Sequence, residues 1–182
     1  MIVLGVVVTA QGASRAFLAT DSGIATQRGA LGMRQPMILL RSPVMLASSS
    51  DSVLLQSWER LRLAKEWTQK LFEEVVAQHQ GDLLVGTVYP RRGHAKLEYL
   101  LPTGSVSVRS IALGVPEEQR AWLERLLQCI VDLYPQAFSM VNWERLLTEL
   151  LRTLGGVAPY WVCDGTGIAY YYNGSRVKWE KA

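Results

Sequence analysis

The first nine residues, MIVLGVVVT, carry almost no polar side chains, and Val6 to Thr9 are all β-branched. Apolar residues in an unbroken run predict a strand over Ile2–Thr9 that is covered on both faces. QGASR then reads as a turn and AFLATD as a second strand, so the chain opens with a hairpin. SGIATQRGALGMRQP is rich in Gly, Ser and Gln and predicts a loop with a short extended piece at most. Two apolar runs, Met37–Leu40 and Val44–Ala47, flank the turn RSP and complete a set of four short strands.

At Ser50 the period changes. Leu54, Trp58, Leu61, Ala64, Trp67, Leu71, Phe72, Val75 and Val76 recur at helical spacing between Val53 and His79, with Ser50 or Asp51 as the N-cap and Gly81 as the stop. DLLVGTVYP, AKLEYLLP and SVSVRSIAL follow as three strands, with tight turns at Arg92-Gly93 and Thr103-Gly104. Pro116-Glu117-Glu118 opens a helix that runs to about Tyr134, facing its core with Ala121, Leu123, Leu126, Leu127, Ile130 and Leu133. After Pro135, Asn142 caps a helix over Trp143–Leu154 that Gly155-Gly156 closes. The tail reads as a hairpin turning at Asp164-Gly165-Thr166-Gly167, with a further turn at Asn173-Gly174. Strands and helices come in separate runs, which excludes a doubly wound parallel sheet. The expectation is an α+β chain forming a single domain over residues 1–182: a four-layer αββα sandwich of two antiparallel sheets with helices on both outer faces.

Composition narrows the partners. The 182 residues are 49% hydrophobic, enough for one buried core. A net charge of +3 does not point to nucleic acid, and the densest basic group, Arg91, Arg92, His94 and Lys96, falls on a predicted hairpin turn. Cys129 and Cys163 lack metal spacing and read as core thiols of a reducing compartment. The opening run has no basic lead-in and ends at Val8, too short for a secretory signal. No stretch reaches the roughly 18 apolar residues of a membrane span. The chain therefore reads as cytoplasmic, with neither nucleic acid nor membrane as a partner. His79 and His94 have no ligand at metal spacing apart from Glu98, and DGTGIAYYYNG opens no helix as a phosphate loop would. No metal or cofactor is expected. SSSDS at 48–52 has no histidine near it in sequence and reads as a helix cap. Tyr170, Tyr171 and Tyr172, near Trp161 and Trp179, read as core and rim of a strand.

Several stretches, taken in order, carry a resemblance. LGVVV, with Gly5, and FLATDS, with Asp21, open the chain; PVMLASSSDS leads into the first helix. LLVGTVYPRRGHAKLEYLLPTGSV, SIALGVPEE and GGVAPYWVCDGTGIAYYYNG follow. Together they resemble the proteasome β-subunit and its bacterial relative, the HslV peptidase, both N-terminal-nucleophile hydrolases, as a divergent bacterial or archaeal-type homologue would. The resemblance implies the αββα fold and a reaction in which an N-terminal Thr, Ser or Cys attacks the scissile carbonyl. The α-amine would be the base and a lysine would lower local proton affinity.

Set against that pattern, the chemical groups are missing. Counting back four residues from Gly5 gives Met1, followed by Ile2, and neither side chain is a nucleophile. The lysine position falls on or beside Met37, where the nearest base, Arg34, stays protonated. The supporting serine falls on Val115 after Gly114, and the Asp and Ser before the closing glycines fall near Leu151 and Leu154. Asp21 alone keeps the acidic position, and an acid there also fits a structural role, accepting backbone N–H groups at the end of the second strand. Between Asp51 and Asp82 the chain is shorter than the family by on the order of twenty residues, leaving room for about one and a half helices.

The reading favoured is a proteasome-subunit-like protein that has lost threonine-peptidase activity. It would serve as a structural or binding subunit of a homo-oligomer, a ring among the forms, with a protein or peptide as the other ligand. Met1, Asp21, Met37 and Val115 would mark the vestigial site, and the helix face with Trp58, Trp67 and Leu71 would self-associate. Two alternatives stay open. One is an active peptidase or amidohydrolase whose non-standard nucleophile, such as Ser22 or Thr20, processing exposes. The other is an unrelated α+β binding domain.

Overall fold

The computed structural model describes residues 2–10, 12–21, 23–25, 31–33, 38–41, 44–66, 68–79, 81–89, 93–133, 140–157, 168–172 and 177–181. The chain runs through β1 (Val3–Ala10), β2 (Ala13–Thr20), β3 (Gly23–Ala25), β4 (Leu31–Met33), β5 (Leu39–Arg41), β6 (Val44–Ala47), α1 (Asp51–Leu61) and α2 (Gln69–His79). It continues through β7 (Leu83–Tyr89), β8 (His94–Leu101), β9 (Gly104–Val108), β10 (Ser110–Leu113), α3 (Glu117–Leu133), α4 (Met140–Val157), β11 (Ile168–Tyr172) and β12 (Val177–Lys181).

The strands form two five-stranded antiparallel sheets, ordered β10-β1-β2-β11-β12 and β5-β6-β7-β8-β9, beside a β3-β4 ribbon. Three layers of apolar side chains hold four structural layers together. Ile2, Leu4, Val6, Val8 and Phe17 of the first sheet pack against Leu123 and Leu127 of α3 and Trp143, Leu147 and Leu151 of α4. Val3, Ala16, Leu18, Ile111 and Leu113 face Met45, Leu84, Leu97 and Tyr99 across the gap between the sheets. Leu46, Leu83, Val85 and Leu100 turn outward to Leu54 of α1 and Phe72, Val75 and Val76 of α2. The architecture is the αββα sandwich.

β1 is apolar from Val3 to Val8 because it contributes to two packing layers. Leu4, Val6 and Val8 reach the helices and Val3 reaches the opposite sheet, so both faces are covered at the start of the strand, while Val7 is half-buried and Thr9 is exposed at its far end. Gly5 lies on the inter-sheet side, where a Cβ atom would come within 3.1 Å of both Ile111 and Leu84 and 3.2 Å of Leu18. A glycine there lets the two sheets close on each other.

Several sequence expectations are corrected. The helical block is two helices, with the chain leaving the helix after Leu61 and Thr68 starting the next one, its Oγ1 accepting the Leu71 N–H at 3.3 Å. Hydrophobic spacing continues through that break, but Leu63 there is 76% exposed, so no core side holds the chain in helix. In α3 the buried stripe is Leu123, Leu127 and Val131. Ala121 lies exposed, and so does Leu133 at 70%, because a strict four-residue step rotates them away from the sheet. α4 begins at Met140 and continues to Val157, so Asn142 and the glycine pair lie inside the helix rather than at its caps. Cys129 is exposed on α3 and is not a core thiol. Cys163, Trp161 and the turn expected at 164–167 lie outside the described residues. Among the described residues no helix is long and apolar enough to cross a membrane.

Candidate functional site at the head of the first strand

The head of β1 is held from two sides. On one side Val3 pairs with Thr20 of β2, and on the other with Leu113 of β10. β2 delivers Thr20 and Asp21 there, both wholly buried. The Ile2 N–H donates to Asp21 Oδ1 at 2.6 Å, and the Ile2 carbonyl accepts from Thr20 Oγ1 at 3.0 Å and from the Asp21 N–H at 3.3 Å. Thr20 Oγ1 also lies 3.2 Å from the Asp21 carbonyl. Both backbone groups of Ile2 are thus matched to the end of β2, which fixes where the strand begins. The Thr20 hydroxyl proton is directed at backbone carbonyls and its oxygen does not reach the surface.

Val115 comes to the same place from β10. It is half-buried and packs on the layer that contains Ile2, Leu4 and Leu154. The structure therefore gathers Ile2, Thr20, Asp21 and Val115 at one end of β1. Met1, Ser22, Arg34 and Met37 lie outside the described residues, while Ile38 is buried in the inter-sheet layer with Val3 and Leu113.

A second polar assembly, which the sequence did not suggest, links the second sheet to α3. Ser48, wholly buried after the end of β6, donates from Oγ to the Asp82 carbonyl at 2.9 Å and lies 3.1 Å from Asp82 Oδ1. Its oxygen also accepts the Ser50 N–H at 3.1 Å. Ser49 Oγ lies 3.2 Å from both Asp82 carboxylate oxygens, and Tyr99 donates its phenolic proton to Oδ2 at 3.3 Å. The Arg120 guanidinium sits 5.1 Å from the centre of the Tyr99 ring and donates from Nε to Glu124 Oε1 at 2.8 Å. Glu124 in turn accepts the Ala112 N–H at 3.1 Å. Ser50 is the N-cap residue of α1 by its extended backbone, yet its side chain makes no capping bond. The serine cluster therefore serves Asp82 rather than a helix cap.

Burial, and then the charge of Asp82, push the Tyr99 phenol above its ordinary value, while Arg120 pulls in the opposite direction. Burial alone would lower Arg120, but the hydrogen bond and charge of Glu124 outweigh it and the guanidinium is held above its usual value. The Arg120–Glu124 spacing of four residues on a helix was legible as a pair. Asp82 and Tyr99 carried no such signal, because a single Asp after a glycine and a single Tyr in a strand become partners only when β7 and β8 pair. Among the described residues no group of three His, Cys, Asp or Glu side chains is placed to hold a metal ion.

No family model matches the chain, and no curated protein sequence matches it. Among solved structures it is similar to Anbu (ancestral beta-subunit) from Yersinia bercovieri, with a TM-score of 0.65 over 100% of this chain and 87% of that one, at 8% identity. At that identity the likeness shows a β-subunit-like fold.

Proposed function

We propose that this protein is a proteasome-subunit-like protein without threonine-peptidase activity, acting as a structural or binding subunit of a homo-oligomer. The observation that carries the reading is the use made of polar groups at the head of β1. The Asp21 carboxylate and the Thr20 hydroxyl are directed at the backbone of Ile2 and lie out of reach of solvent. Nucleophilic catalysis needs a hydroxyl or thiol beside a base and open to substrate. Val115 adds only aliphatic surface at the same end. In this reading Met1, Asp21, Met37 and Val115 are vestigial positions, and Asp21 has become an anchor for the strand.

Assembly is supported by α3. Trp122, 60% exposed, and Leu133, 70% exposed, are eleven residues apart in sequence and lie on one face of that helix, with exposed Cys129 between them. Large apolar side chains aligned on an outer helix suit a contact with another subunit. The face expected earlier is less available: Leu71 packs on the outer core of the second sheet, Trp58 is half-buried, and Trp67 lies outside the described residues.

Intact mass and N-terminal sequencing of protein purified from its native cell test the catalytic half, together with a threonine-directed covalent inhibitor. The expected result is no labelling and no mature chain that begins with Thr, Ser or Cys. A processed terminus that takes the label overturns the proposal. Size exclusion with light scattering tests assembly, and a monomer of 20.3 kDa at high concentration overturns that half.

A further inference from the structure

The chain changes sheets between β9 and β10, and among the described residues β9 is left as an outer strand of the second sheet, paired with β8 alone. Gly104, Ser105, Val106 and Ser107 are exposed, and Val106, at 54%, is one of the large apolar side chains that face water. An open strand edge is a template for a further strand, and natural sheets blunt it with charge, proline or brevity. β5, at the other margin of this sheet, has three residues, and β12 at the margin of the first sheet is VKWEK, with three charges. β9 is GSVSV, five residues with neither charge nor proline.

Strand pairing fixes which backbone groups are open. Leu101 and Gly104 face each other across a two-residue turn, a place that only a hydrogen-bonded pair can take. Antiparallel pairs alternate, so Tyr99–Val106 and Leu97–Val108 are hydrogen-bonded too. The N–H and C=O groups of Ser105 and Ser107 therefore point away from β8. The next outward carbonyl, that of Arg109, accepts the Val7 N–H at 2.8 Å and turns the edge toward β1. Ser105 and Ser107 have no such partner among the described residues.

We propose that β9 pairs with β9 of a second copy of this chain, antiparallel about a two-fold axis at Val106. The stretch Ser105-Val106-Ser107 reads the same in both directions. An axis there sets Ser105 opposite the partner's Ser107, so every open donor meets an open acceptor. Val106 meets its own copy, and the Tyr99–Val106 row continues across the axis. Charge favours a second copy over a charged partner: β9 carries none, and Lys96 and Glu98 of β8 already form an opposite pair at 3.2 Å. Arg109, held by Asp132 at 3.0 Å, lies about 20 Å from its symmetry mate. Five residues a side bury far less than the roughly 800 Å² that each partner gives a stable interface. The strand pair is thus a second contact within an assembly that α3 holds, and it deepens the homo-oligomeric reading above and rests on it.

Hydrogen–deuterium exchange, read at single amides by NMR, tests this on the unsubstituted chain. The expected result is slow exchange at Ser105 and Ser107 at high protein concentration and faster exchange on dilution, with Val106, bonded to β8, little changed. Cross-linking tests the register on a Cys129→Ser background, which removes an exposed thiol. Oxidised V106C gives a disulfide-linked dimer, because a non-hydrogen-bonded pair sets its Cα atoms about 4.5 Å apart. S105C links at least about tenfold less, since its two copies lie diagonally, about 7–8 Å apart. V106K sets two ammoniums against each other at the axis and speeds exchange at both serine amides about fivefold in the oligomer. Circular dichroism of each variant confirms that the fold is retained. An oligomer in light scattering whose Ser105 and Ser107 amides stay open overturns this proposal alone and leaves the edge to a strand of another protein. Equal linking by V106C and S105C also overturns it alone. A monomer at high concentration overturns it together with the homo-oligomer.

Discussion

The Ile2 amide donates to the Asp21 carboxylate across 2.6 Å in a fully buried setting, and the two residues are nineteen apart in sequence. An acid and a strand opening that looked like remnants of a catalytic arrangement are thus in direct contact, each supplying what the other needs. The contact sets the register at which β1 enters the first sheet.

Removing that acceptor leaves a buried N–H without its partner. Asp21→Ala is expected to cost about 1–3 kcal/mol, lowering Tm by about 2–4 °C for each kcal/mol at this chain length. Asp21→Asn keeps a carbonyl oxygen in the same place and costs less. Thermal denaturation of the two variants side by side checks the order, and an alanine variant as stable as the parent would remove the anchoring role.

Gly5 makes a steric prediction. A methyl group at that position meets Ile111, Leu84 and Leu18 at 3.1–3.2 Å, and none of the three is surface-exposed. Gly5→Ala should destabilise by about 1–3 kcal/mol through overpacking between the sheets. Combining it with Leu84→Ala, which opens space at the contact, should cost less than the sum of the single changes. Strict additivity in urea denaturation would contradict the close approach.

Ser48 gives a test of the Asp82 assembly. Its hydroxyl is wholly buried, and Ser48→Ala strips a donor from Asp82 and an acceptor from the Ser50 N–H. The expected loss is about 1–3 kcal/mol. Ser50→Ala should be nearly silent, since that side chain makes no capping bond. If Ser50→Ala proves the costlier change, the serines work as a helix cap after all.

Tyr99 links stability to alkaline pH. Its phenol is raised from the ordinary value of 10.0 in the folded chain, so it keeps its proton more tightly folded than unfolded. Its contribution is fully present below pH 10 and is lost as pH rises from there through the folded value. Tyr99→Phe should therefore lower stability at neutral pH by about 0.5–1.5 kcal/mol, through the lost bond to Asp82, and flatten the decline above pH 10. Denaturation midpoints from pH 8 to 11 on both proteins measure it; parallel curves would sink the assignment.

The outer face of α3 is the last test. Replacing Trp122 and Leu133 by Glu places charge on the stripe without touching Leu123, Leu127 or Val131, which carry the packing of that helix. The double variant is expected to keep its fold and shift to monomer in light scattering. An unchanged oligomer would move the interface elsewhere.

The order of strand and helix runs was enough to predict the αββα sandwich, because burial period and turn residues act locally along the chain. Double-sided burial of β1 up to Val6 followed from its unbroken apolar run, although Thr9 at its far end is exposed, and the turn at Gly93 followed from its dipeptide. Helix limits were less legible. The apolar spacing over 53–79 continues across the break at Leu63, and only the absence of a covering surface there ends α1. The α3 stripe was misjudged at Ala121 and Leu133 for a related reason: several faces of that helix are apolar, and the sheet it packs on selects one.

The sequence by itself determined the fold class, the burial of the start of the first strand on both faces, and the absence of a nucleophilic side chain at Met1 and Ile2. The tertiary structure alone decided that Asp21 anchors Ile2, that Asp82 gathers Ser48, Ser49 and Tyr99, and that Ser14 joins the two sheets. These partners are 17 to 81 residues apart. A local pattern records which face of a strand is buried, but which polar group awaits there depends on pairing and register that no single stretch encodes.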